Sequence, residues 1–160
     1  MTHTLAHPRI TGLAAIARRY AEDPERWPFA PRFSAAERWY GRIGGDAGHE
    51  AWLLTWLPGQ GTDLHDHGGS SGAFVVVSGC LTEEVVVESD PHPVEPRRVM
   101  FTAGAARAFG ARHVHRITNT GTTPAVSLHV YAPALRVMTR YHLESGRLRT
   151  AVVENAGVDW

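Results

Sequence analysis

The 160-residue chain has a single cysteine, Cys80, so no disulfide can form within it. That suits a reducing compartment and sets the expectation of a cytoplasmic protein. Net charge is absent as well, 16 basic residues matching 16 acidic ones, which removes any bulk electrostatic reason to expect a nucleic acid or an anionic membrane as partner. No apolar run approaches the length of a membrane span, and the opening stretch MTHTLAHPRITGLAAIARRY lacks the continuous apolar centre of a signal peptide. Internal repeats, low-complexity tracts and a linker to a second domain are missing too. The expectation is one soluble domain over residues 1–160, long enough to bury a core without staples.

What is present begins with one amphipathic helix. Leu13, Ile16, Ala17 and Tyr20 fall at i, i+3, i+4 and i+7, Thr11 stands where a cap would, and Asp23-Pro24 ends the pattern, which predicts a helix over about 11–22. The prolines of PERWPFAPRF make the next stretch a loop. From Ala36 the texture changes to short apolar segments separated by Gly, Pro, Asn or Asp. Strands are predicted near 37–43, 50–57, 73–78, 81–88, 97–102, 113–119, 125–132, 136–143 and 147–153, with Ser145-Gly146 as a two-residue hairpin turn between the last two. Many short strands at even spacing argue for an all-β sandwich or closed barrel over about 36–155.

Two stretches carry chemistry. In LPGQGTDLHDHGGSSG, His65 and His67 sit one residue apart; on a strand both would point to one side while Asp66 points to the other. Neutral imidazole is the commonest metal ligand, and a pair on one strand needs only a third group from elsewhere in the barrel. In AVSLHVYAP, Ser127, His129 and Tyr131 alternate and share a face, whereas Val126, Leu128 and Val130 face away as core. Three polar groups on one face of an apolar strand are costly to bury unless they bond one another or line a site. Blander readings apply elsewhere. Trp52 and Trp56 read as core, His3, His7, His92 and His142 as surface, Arg107, Arg112 and Arg116 as a solvated basic run, and Cys80 as an ordinary small strand residue. His113 shares a face with His115, and His49 has no evident role.

Gly59, five residues, His65-x-His67, four residues, position 72, six residues and Gly79 make a spacing that resembles the first motif of the cupin superfamily. Gly104, five residues, Gly110, then His115-x-x-x-Asn119 resembles the second, although Gly110 and Arg112 replace the usual proline and glycine. The resemblance implies a cupin barrel with His115 as third ligand. Cupins commonly place a glutamate ligand at the position of Gly72, so the carboxylate is missing here. An open three-histidine site fits non-haem Fe(II) oxygenases, with zinc, manganese and nickel not excluded by ligand type.

LHDH at 64–67, VHRITN at 114–119 and the Ser127–His129–Tyr131 series, in this order over roughly residues 38–135, are similar to the cysteine dioxygenase family of cupins. This resemblance implies Fe(II) held by His65, His67 and His115, with L-cysteine and O2 as substrates and cysteine sulfinate as product. It implies Arg42, in WYGR, as the clamp on the substrate carboxylate, with Arg107, Arg112 or Arg116 as substitutes. Tyr131 would put its hydroxyl near iron and substrate, oriented by His129 and Ser127. Animal members carry a cysteine at the position of Gly72 that cross-links to the active-site tyrosine, so Tyr131 is expected to be an unmodified phenol. A monomer is expected, since family members are often monomeric. The rival readings are a dioxygenase for 3-mercaptopropionate or another thiol carboxylate, a metal-binding sensor without catalysis, and a zinc or manganese isomerase.

Overall fold

The structure, a computed structural model, describes residues 10–87 and 95–156. Expectations for His3, His7 and His92 fall outside the described residues. Among the described residues helix α1 (Ile10–Glu22) comes first, followed by a single 3-10 turn, Pro24–Arg26. The helix starts at Ile10, so Thr11 lies inside its first turn and is not the cap; at the other end Asp23-Pro24 terminates it as expected.

Eleven strands follow among the described residues: β1 (Tyr40–Gly45), β2 (Glu50–Trp56), β3 (Leu64–His65), β4 (Ser71–Ser78), β5 (Cys80–Val86), β6 (Arg97–Thr102), β7 (Ala106–Phe109), β8 (Val114–Thr118), β9 (Ala125–Ala132), β10 (Val137–Glu144) and β11 (Arg147–Asn155). They form two antiparallel sheets, one ordered β1-β2-β9-β4-β7 and the other β11-β10-β3-β8-β5-β6. Strand β7, the four-residue ARAF, escapes sequence reading, being too short for an alternation to register, and β3 is only two residues long.

The apolar interior has two layers. Leu54, Trp56, Phe74, Val76, Phe109 and Tyr131 from the first sheet meet Leu81 and Ile117 from the second. On the outer side of the first sheet, Leu13 and Ala17 of α1 pack on Ala51, Ala73, Val75, Leu128, Val130 and Ala132. An antiparallel sheet can leave one face wet; here α1 covers it, so every residue of β9 is buried. Turn chemistry fixes the joints. Ser145 (φ 51°) and Gly146 (φ 73°) both take positive φ, as a two-residue hairpin turn of the right twist requires. Gly79 turns β4 into β5 at φ 77°, and a Cβ there would lie 2.6 Å from the Pro124 carbonyl oxygen.

Candidate metal centre

His65 closes β3 and stands directly opposite His115 on β8. The expected strand running through both His65 and His67 does not exist, because β3 ends at His65. His67 instead starts a turn in which its carbonyl accepts the Ser70 N–H at 3.0 Å. Asp66 still faces away, and this is what holds the turn. Its Oδ1 accepts the N–H groups of Gly68 (3.0 Å) and Thr139 (3.1 Å), and its Oδ2 the Tyr141 hydroxyl at 2.7 Å. The three rings therefore converge, with centroids 5.0 Å apart for His65–His67, 4.8 Å for His65–His115 and 5.0 Å for His67–His115.

All three are buried, and each has nitrogen capacity to spare. His65 Nδ1 lies 2.8 Å from the Asp63 carbonyl and His115 Nδ1 2.7 Å from Glu83 Oε1; both partners only accept, so these nitrogens carry the protons and leave Nε2 with a lone pair. Neither ring nitrogen of His67 has any partner. Burial pushes the His65 pKa down to about 4, and burial followed by the neighbouring imidazoles holds His67 and His115 well below the ordinary value. Neutral imidazoles with one nitrogen each from His65, His67 and His115 within 4.8 Å of one another fit a divalent cation, which would give one of the two unsatisfied buried nitrogens of His67 a partner.

Position 72, where by the resemblance to cupins a carboxylate ligand would stand, is crowded by an aromatic ring. Gly72 on β4 sits opposite Phe109 on one side and Tyr131 on the other. A Cβ at 72 would lie 2.5 Å from Phe109 Cζ, and the Phe109 ring stacks on His67 at 4.7 Å and 26°.

The facing wall belongs to the first sheet. Trp56 Nε1, which can only donate, bonds Ser127 Oγ at 2.8 Å; Ser127 Oγ lies 2.9 Å from His129 Nε2, and His129 Nδ1 lies 3.4 Å from the Tyr131 hydroxyl. In the His129 tautomer with Nδ1–H facing the phenol oxygen, the Ser127 hydroxyl donates to Nε2 and the Tyr131 proton is free to point onward. Burial raises the Tyr131 pKa far above its ordinary value and lowers that of His129 to about 3, so both stay neutral. His65 and His115 on one side and His129 and Tyr131 on the other enclose a cavity of about 120 Å³, completed by Arg38, Tyr40, Trp52, Leu54, Trp56, Ile117 and Arg140. An apolar cavity of roughly 150 Å³ takes benzene, so this one suits a ligand of a few heavy atoms.

Arg42 does not reach that cavity. It lies on the β1 strand roughly 7 Å past Tyr40 toward the β1–β2 turn, is 54% exposed, and stands 3.7 Å from Glu50. Arg107 faces Glu83, and Arg116 bonds Glu84; neither these two nor Arg112 lines the cavity. The cation that does is Arg38, ahead of β1. Its guanidinium sits 4.6 Å over the Trp56 ring and 5.9 Å from that of Tyr40, and its Nη1 is buried without a hydrogen-bond partner. Arg140 is the second cavity cation, already engaged by Glu154 (2.8 Å) and Asp63 (3.3 Å).

Sequence reading did not single out Arg38; Trp52 and Trp56, expected as core, do pack in the core and also wall the cavity. It also left two histidines unassigned. His49 is held by Asp46 (3.1 Å) and Tyr20 (3.2 Å), while His113 bonds Glu83 at 2.8 Å outside the cavity. His142 is exposed as expected.

Residues 8–144 match the family described as cysteine dioxygenase type I. A cysteine dioxygenase type 1 from Homo sapiens is 30% identical over 132 residues, covering 78% of this chain and 65% of that protein, so the match spans just under two thirds of the human protein's length. The protein of the same description from Bos taurus is 24% identical over 152 residues, covering 90% and 75%. Among solved structures, a cupin 2 conserved barrel domain protein from Leptotrichia buccalis aligns with a TM-score of 0.51 at 12% identity, over 64% of this chain and 44% of that one, a likeness of fold.

Proposed function

This chain belongs to the cysteine dioxygenase type I family, and from that premise we propose that it is an Fe(II)-dependent thiol dioxygenase converting L-cysteine and O2 to cysteine sulfinate. The observation that carries the reading is a cluster of three buried imidazoles with spare nitrogens, two of which, His65 and His115, wall one small cavity together with a guanidinium that has a spare N–H. Iron held by His65, His67 and His115 would supply open coordination positions for a thiolate, an amine and O2. The balance is closed, R–SH + O2 giving R–SO2H, and no further reductant is needed.

The chain's own residues do the rest. Arg38, in place of Arg42, takes the substrate carboxylate; a planar fork with an unpaired Nη1 in a half-apolar wall suits a carboxylate. Trp52, Leu54, Trp56 and Ile117 keep water from the thiol. Tyr131, held protonated by burial and oriented through His129 and Ser127, presents a fixed hydrogen-bond donor to the reacting end of the substrate. A cytoplasmic, reducing setting suits both the free thiol of Cys80 and a metal that must stay ferrous, and we read the chain as a monomer with no nucleic-acid or membrane partner.

One observation favours a second substrate, 3-mercaptopropionate. Among the described residues no aspartate or glutamate lines the cavity, so nothing in its wall recognises a substrate amine apart from what a bound metal would offer. O2 uptake by the Fe(II)-loaded protein, with L-cysteine and 3-mercaptopropionate offered separately and sulfinate quantified, decides. Sulfinate from cysteine matched to O2 consumed upholds the proposal; preference for the deaminated thiol moves the substrate and keeps the site. Bound iron with no uptake from either thiol leaves a binding module and refutes catalysis.

A further inference from the structure

We propose that Glu83 is a positioning residue that sets how strongly His115 donates to a bound metal, a role that rests on the three-histidine reading above. Glu83 lies on β5, fully buried, one strand away from the ligand. Its Oε1 accepts both His115 Nδ1–H (2.7 Å) and His113 Nε2–H (2.8 Å), while Oε2 faces Arg107 Nε at 2.9 Å, off the N–H axis. The three ligands are thus backed unequally. His65 leans on the neutral carbonyl of Asp63, His67 on nothing, and His115 on a carboxylate.

That inequality has a chemical consequence. A carboxylate behind an imidazole N–H draws the proton toward itself and makes the opposite nitrogen a better donor. Three neutral imidazoles leave the full charge of a divalent ion uncompensated, and the Phe109 ring bars a carboxylate from position 72. Glu83 returns the missing anion one ring farther out. Arg107 and His113 share that anion, so they temper what His115 receives; removing the cation should strengthen the effect that removing the anion abolishes.

Glu83, His113 and His115 also lie close enough to hold an ion of their own. Their facing atoms are already spent on hydrogen bonds to one another, and the Arg107 guanidinium stands against the carboxylate, so a second cation there would be repelled. The cluster is support for the site, not a site.

The test is anaerobic titration of the full-length apoprotein with Fe(II), and separately with Co(II), against a chromophoric chelator. It compares wild type, Glu83→Gln, Arg107→Gln and, as control, His65→Ala. Glu83→Gln is expected to bind roughly 10- to 100-fold more weakly and Arg107→Gln several-fold more tightly, with the visible Co(II) bands moving in opposite directions. A merely structural network would lose affinity in both variants. Equal affinity in Glu83→Gln, or a loss in Arg107→Gln, overturns the proposal. If Glu83→Gln fails to fold, Arg107→Gln decides alone, and unchanged or weaker binding there refutes it. A wild-type chain that binds neither metal, or binds it equally after His65→Ala, removes the three-histidine reading itself.

Discussion

On one side of β9, Leu128, Val130 and Ala132 pack beneath α1; on the other, His129 and Tyr131 line the cavity opposite His65 and His115, with Ser127 bonded behind His129. Both faces are buried to the same degree. The helix-covered face is a water-excluding contact whose side chains need only be apolar and of fitting size. The inner face pays to bury polar groups and recovers part of that only through the ordered series that begins at Trp56 Nε1. Burial therefore does not rank residues by role; what distinguishes the faces is whether the buried groups could be exchanged for carbon.

Substitutions can break that division. The largest effect is expected at the proposed ligands: His65→Ala or His115→Ala should abolish retention of added Fe(II), read as metal content after gel filtration, with the fold intact by circular dichroism. Leu128→Ala, on the helix side, should cost about 2–5 kcal/mol of stability in denaturant unfolding yet leave iron content and turnover per folded molecule unchanged. Tyr131→Phe should do the reverse, keeping iron and the melting temperature while lowering kcat by roughly 10²-fold. If Leu128→Ala instead lowered turnover and Tyr131→Phe lowered stability, the two faces would not be separable. Arg38→Gln should reduce kcat/KM for a thiol carboxylate by roughly 10- to 100-fold, the worth of a hydrogen bond to a charged group, with Arg42→Gln close to wild type. The reverse order would restore Arg42 as the clamp.

The smallest effect is on pH. Burial holds His129 at about 3 in the folded chain, against roughly 6.5 when unfolded. Between those values the unfolded chain binds a proton that the folded one refuses, so stability is complete above about pH 6.5 and declines as pH falls toward 3. From pH 7 to 5 the apoprotein should lose about 2 kcal/mol from this group, and His129→Asn should flatten that part of the profile in paired denaturant titrations.

Much of this was legible beforehand because it is local. The His65-x-His67 pair, the alternation of Ser127, His129 and Tyr131, and strands 97–102 and 125–132 all follow from spacing. The convergence of His65 and His67 was anticipated through the wrong conformation: a two-residue strand and a turn pinned by Asp66 achieve what a continuous strand was expected to. Arg38 was not legible because it precedes β1, and whether it or Arg42 reaches the cavity depends on where the strand begins and on Glu50 taking up Arg42. Glu83 did leave a trace. It falls two residues after Leu81, on the buried side of β5, where a charged residue needs a partner. The partners come from β7 and β8, distant in sequence, and no periodicity in β5 names them.

The contact between Gly72 and Phe109 also constrains how this site can evolve. A glutamate at 72, restoring the fourth ligand, and a cysteine at 72, within reach of Tyr131 across the strand pair, both collide with the same ring. Either side chain would need the Phe109 ring to move or to shrink, and both disturb its stacking on His67. The two positions are coupled: a side chain at 72 and the full ring at 109 compete for one space.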